Sequence, residues 1–160
     1  MNNISLPKIS QSELENLLSE ARNSLRRRYP KILHEKGDVL NRVINFMLDD
    51  TYMEPHLHPG IEKIEDIYLL EGKLSVIEFD EVGKIEKTTI LDKGDKRHIQ
   101  IPAFTWHTYV VLSDYAVTYE TMMGQYDPKT WKNFSDWAPK EGLQESEDYL
   151  LHLKRKCQQD

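Results

Sequence analysis

Between Val39 and Met123 the chain is cut into short runs rich in Val, Ile, Thr, Tyr and Phe: "RVINFML", "DIYLLEG", "KLSVIEFD", "KIEKTTIL", "RHIQIP", "TWHTYVVL" and "YAVTYETMM". Turn-forming residues separate them, at Asp49-Asp50, Pro59-Gly60, Gly72, Gly83, Gly94-Asp95 and Ser113-Asp114. Many short strands at close, even spacing point to a β-sandwich or barrel. Within the series, "FDEVGKIEK" reads as a hairpin with Gly83 in its turn.

The flanks differ. From about Ser10 to Arg28, Leu14, Leu17, Leu18, Ala21 and Leu25 fall on one helical stripe. Ser10 with Glu13, or Ser12 with Glu15, offers a capping box, and Pro30 discourages continuation. Beyond Gly124 the chain is polar with scattered aromatics, which reads as an irregular ordered segment on the barrel. Phe134 and Trp137 are its expected anchors, and a short helix is expected from Ser146 to Lys156. The expected organisation is one domain: an N-terminal helical segment over residues 1–36, a barrel over 37–124 and an extension over 125–160.

Composition narrows the function classes. The chain has 160 residues, enough for one buried core, and a net charge of −6. An acidic chain is a poor general binder of nucleic acid or anionic membrane. The basic run Arg26-Arg27-Arg28 is the local exception, and it can hold a phosphate or carboxylate or simply end a solvated helix. One cysteine, Cys157, excludes a disulfide framework or a multi-cysteine zinc site within the chain. The first residues contain no apolar signal core and no run approaches a membrane span, so a cytoplasmic protein is expected. No P-loop, dinucleotide fingerprint or G-x-S-x-G elbow occurs.

The chemistry concentrates in "EPHLHPGIEKIEDIYLLEG", Glu54 to Gly72. On a strand His56 and His58 face the same side, the least geometry two imidazoles need to share one ion. Glu62 and Glu65 are candidate third ligands, and His107 in "IPAFTWHTYVVL" is a candidate fourth. Such a mixed N/O set suits one divalent transition ion, Fe, Mn, Ni, Co or Zn. His34, His98 and His152 read as ordinary surface or core histidines. Tyr109 shares parity with His107. Glu120 lies in the following run, as a base, a partner of a ligating histidine or a surface residue.

These motifs resemble the cupin superfamily. H-x-H is followed by Glu65, six residues and Gly72, and "PAFTWH" matches the second motif with Phe104 in place of its glycine. Glu62 fits the usual short gap after His58 but not the spacing to Gly72. The register to the glycine turn therefore favours Glu65, with the loop at Pro59-Gly60 absorbing the longer gap. More narrowly, "SLRRRYPKILH", "PHLH", "YETMMGQYDP" and "KNFSDWAPKEG" are similar to WbuC-type cupin-fold metalloproteins. Leu25 and Ile32 depart from that group's pattern.

The resemblance implies a mainly β, cupin-like jelly-roll barrel with an N-terminal helix and a short C-terminal helical extension. It implies a metal held by His56, His58, Glu65 and His107; Glu120 and Tyr109, from their own positions in the strands, are candidate catalytic residues. It implies a small-molecule, sugar-related ligand, a setting in surface-polysaccharide (O-antigen) assembly and a homodimer. Two functions stay open. One is a metal-dependent enzyme on a small polar metabolite: an isomerase, epimerase, hydrolase or Fe(II) oxygenase. The other is a non-catalytic metal- or ligand-binding sensor or accessory protein.

Overall fold

The computed structural model describes residues 5–159. Its elements, in chain order, are α1 (Gln11–Asn23), β1 (Arg28–Ile32), β2 (Leu40–Leu48), β3 (His56–Leu57), β4 (Glu65–Glu71) and β5 (Lys73–Phe79). There follow β6 (Ile85–Asp92), β7 (His98–Ile101), β8 (Trp106–Val111), β9 (Tyr115–Met123), β10 (Asn133–Phe134) and α2 (Glu145–Cys157). The strands form two five-stranded antiparallel sheets, ordered β1-β2-β9-β4-β7 and β10-β3-β8-β5-β6. The protein is thus mainly β, a jelly roll with a helix at each end of the chain.

Period-2 alternation assigns every strand face. Inward residues of the first sheet, such as Ile67, Leu69, Ile99 and Ile101, meet Leu74, Val76, Leu91 and Val111 of the second in one dry core. Outward residues are covered by the helices. Leu14, Leu18 and Ala21 of α1 pack on Ile44, Phe46, Val117 and Tyr119. Leu150, Leu153 and Cys157 of α2 pack on Ile77, Phe79 and Val110. Each fully buried leucine contributes about 1.5–3 kcal/mol, so a pair suffices to seat a 13-residue helix on its sheet. Neither helix is long and apolar enough to cross a membrane, a statement about the described residues and about helices only.

Two turns depend on glycine. Gly72 has φ +82°, and a Cβ there would meet the Tyr115 carbonyl oxygen at 2.1 Å. Gly83 has φ +88° in the β5–β6 hairpin, and a Cβ would strike the Trp137 ring at 2.5 Å. The second cupin motif also makes sense in these terms. Phe104 stands where the pattern has glycine, and it adopts φ +60°. A bulky side chain in the left-handed region is strained. The Phe104 N–H donates to the His58 carbonyl (3.1 Å), which helps hold that turn against the metal-motif loop.

The N-terminal helix ends earlier than its stripe suggests. Ser10 caps α1 by accepting from the Glu13 N–H, but the Glu13 carboxylate pairs with Lys31 rather than closing a capping box. The helix stops at Asn23, and Leu25 is fully exposed. Arg27 then takes φ +58°, and the chain turns so that Arg28–Ile32 pairs with Val43–Met47. Pro30 therefore sits in an edge strand, where its missing N–H is tolerated.

Candidate metal centre

Short strand β3 lies between β8 and β10, and its register sets His56 opposite His107 on one side and Phe134 on the other. His58 follows two residues on. The three imidazoles are buried, and their ligand nitrogens lie within 4.8 Å of one another, a group that can hold a metal ion. Glu65 begins β4 on the facing sheet. Its Oε2 lies 3.1 Å from His107 Nε2 and 3.3 Å from His58 Nε2. Glu62 stays outside this cluster, exposed beside Gly60 and Gly124.

Backbone carbonyls orient all three rings. His56 Nδ1 faces the Glu54 oxygen at 2.9 Å, His58 Nδ1 the Trp131 oxygen at 2.8 Å, and His107 Nδ1 the Thr105 oxygen at 2.8 Å. A carbonyl only accepts, so each Nδ1 carries the proton and each Nε2 is left with a lone pair. The Nε2 lone pairs of His58 and His107 then confront the lone pairs of Glu65 Oε2. Such a cluster needs a positive charge among its acceptors. Burial pushes His56 well below the ordinary histidine pKa, which keeps that ring neutral beside the pair. His58 Nε2 is moreover buried without a hydrogen-bond partner. Neutral imidazoles with one carboxylate fit a divalent transition ion, and carbonyl-anchored Nδ1 protons are its usual outer support.

The surrounding groups are unequal. Burial alone would raise the Glu65 carboxyl, but the adjoining His107 and His58 rings outweigh it and hold the group well below the usual carboxylate range. Tyr109 donates its hydroxyl to Glu65 Oε1 at 2.6 Å, and burial and that carboxylate push the phenol well above its ordinary pKa. Glu120 is buried on the inward face of β9. Burial, then the Glu65 charge, raise it to about 7, against the opposing hydrogen bonds from Asn45 and Thr118.

A cavity of about 300 Å³ opens from this cluster. Asn45, Tyr109, Glu120, Tyr126, Trp131 and Lys132 are among its walls. In the sequence Trp131 reads as a packing anchor or a stacking platform, and the tail's composition leads to an expectation of Lys132 or Glu141 near the cavity rim; Trp131 and Lys132 both line the wall. The basic run divides: Arg26 and Arg28 line the cavity and share the Glu141 carboxylate, whereas Arg27 pairs with Asp50 outside. The tail anchors also differ from expectation. Phe134 is exposed, because β10 pairs only its backbone edge with β3, while Trp137 packs against Phe79 (5.0 Å) and Trp106 (6.2 Å).

Fold and cluster together define a cupin-fold protein with a buried three-histidine group that can hold a metal. The chain belongs to the family described as a domain of unknown function, DUF6016, whose model matches residues 9–91. That match takes in His56, His58 and Glu65 and stops short of His107. No curated protein matches the chain. Among solved structures, a Shewanella oneidensis protein, SO0799, is 10% identical with TM-score 0.58, over 84% of this chain and 87% of that one. A structure of the DMSP lyases RdDddP and RnDddQII is 15% identical with TM-score 0.53, over 69% and 53%. The formate complex of Lactobacillus farciminis oxalate decarboxylase is 17% identical with TM-score 0.50, over 66% and 31%. At these identities the likeness is one of fold.

Proposed function

We propose that the protein binds one divalent transition ion through His56, His58, His107 and Glu65 and acts on a small polar metabolite in the adjoining cavity. The observation that carries this reading is the meeting of Nε2 lone pairs with Glu65 Oε2 within a buried three-histidine group. A bound ion would polarise a substrate oxygen or acidify a water. The chain's own residues do the rest. The carbonyls of Glu54, Thr105 and Trp131 hold the imidazoles in the ligating tautomer. The Tyr109 hydroxyl fixes the Glu65 carboxylate. Glu120, raised to about 7, holds a proton it can give up or take back near neutrality, which favours an enzyme over a passive accessory. A sugar-related metabolite and a setting in surface-polysaccharide assembly rest on the motif likeness to WbuC-type proteins alone.

Elemental analysis of protein purified without added metal tests the reading. We expect close to one transition ion per chain, with His107→Ala losing more than about a hundredfold in metal affinity, beyond what removing an outer partner does. Glu65→Gln should lower occupancy and Glu62→Gln should not. Full occupancy in the Glu65 variant would remove that carboxylate from the ligand set.

A further inference from the structure

The segment that orients His58 also delivers a cation. Trp131 gives its carbonyl to His58 Nδ1 (2.8 Å), and Asn133 pairs with Leu57 of β3. Lys132 lies between these two fixed points and lines the cavity. Among the described residues its ammonium has no hydrogen-bond acceptor and no carboxylate within salt-bridge distance, although Glu65 and Glu120 are close enough to act on it through their charge. Lys132 is half-buried, and its ammonium opens to the cavity without a fixed partner. Another lysine at this end shows the usual solution: Lys63 donates to the Thr130 carbonyl (3.1 Å) and lies over the Trp131 ring. Positive charge continues along the same wall. Two guanidiniums, Arg26 and Arg28, share the one carboxylate of Glu141, and Arg28 also feels the Glu120 charge.

We propose that Lys132 is the anchor for an oxyanion, a carboxylate or phosphate, on a small acidic substrate whose other end lies at the His56–His58–His107 cluster. The inference rests on the metal-site reading and names the class of substrate that site takes. The cavity, at about 300 Å³, is at the lower end for ligand pockets and suits a small acid rather than a polymer. An oxyanion seated there would give the ammonium the charge-assisted hydrogen bond that the fold withholds.

Calorimetric titration of malonate, inorganic phosphate and uncharged malonamide into the full chain tests this, once with Mn(II) saturating and once with metal removed. Malonate or phosphate should bind and malonamide should not, and the tighter anion names the oxyanion. Lys132→Gln should weaken anion binding about tenfold or more while Mn(II) affinity stays within about twofold, and Lys132→Arg should restore part of the loss. Wild-type anion affinity in Lys132→Gln, or equal binding of malonamide, would overturn the proposal. Failure of Mn(II) itself to bind would instead sink the metal reading. The metal-free titration then decides the anchor: binding that depends on Lys132 upholds it, and no such binding ends it.

Discussion

The two ends of the barrel interior are made by the same strands on the same faces, and they differ in almost every physical respect. Inward positions on β4 run Glu65, Ile67, Leu69, and on β8 they run His107, Tyr109, Val111. On antiparallel β9 the same gradient appears in reverse, Ala116, Thr118, Glu120. One step of two residues, roughly 6–7 Å along a strand, separates a metal-ligand candidate from dry core. The dry end is closed by its own side chains. The polar end depends on chain from elsewhere, since Trp131, Lys132 and Glu141 all come from the extension. Stability and chemistry thus share strands without sharing residues, and substitutions should separate them.

The largest effect is expected at the dry end. Ile67→Ala should cost about 2–5 kcal/mol in denaturant unfolding while metal stoichiometry in the folded fraction stays intact. Loss of metal at full folding would show that the ends are not separable. The extension offers a finer division through its two tryptophans. Trp137 packs on the outer face beside Phe79 and Trp106, so Trp137→Ala should cost about 1.5–3 kcal/mol in thermal or chemical unfolding and leave metal affinity alone. Trp131 lies against His58, with ring centroids 5.9 Å apart, so Trp131→Ala should weaken metal by about tenfold. Equal metal affinity in the two variants would erase the distinction.

The smallest effect concerns pH. Glu120 has a folded-state pKa near 7, above its ordinary 4.5, so the folded protein holds that proton more tightly than the unfolded chain does. The stability it contributes is present in full below about 4.5 and is lost as pH rises through about 7. In metal-free protein, thermal melts of wild type should therefore lose ground to Glu120→Gln across that window. Parallel curves would mean that the carboxyl is not held protonated by its surroundings.

Legibility in the sequence followed periodicity. The strands, the Gly83 hairpin and the shared side of His56 and His58 could be read because alternation is a local property. The choice of Glu65 over Glu62 came from the cupin-motif spacing to Gly72 rather than from periodicity, which left both carboxylates open. The end of α1 was not legible, because Leu25 continues the helical stripe while Arg27 takes a left-handed backbone that no periodic pattern announces. Nor was the docking register of the tail, which comes from pairing β10 with a two-residue strand more than seventy positions earlier, although its composition led to an expectation of Lys132 or Glu141 near the cavity rim. A polar segment without a period does not announce which strand it pairs with.

Two of the carbonyls that set the histidine tautomers lie two residues before their rings, whereas the third, Trp131, lies 73 residues after His58. The consequence is one of timing. During synthesis the barrel strands and all three imidazoles leave the ribosome before the residue that orients the last of them. A chain interrupted after Met123 has every candidate ligand and still leaves His58 free to place its proton on either nitrogen. Any ion held there would thus meet its full set of oriented rings only once Trp131 has come back to His58, so metal retention would report that the tail has closed.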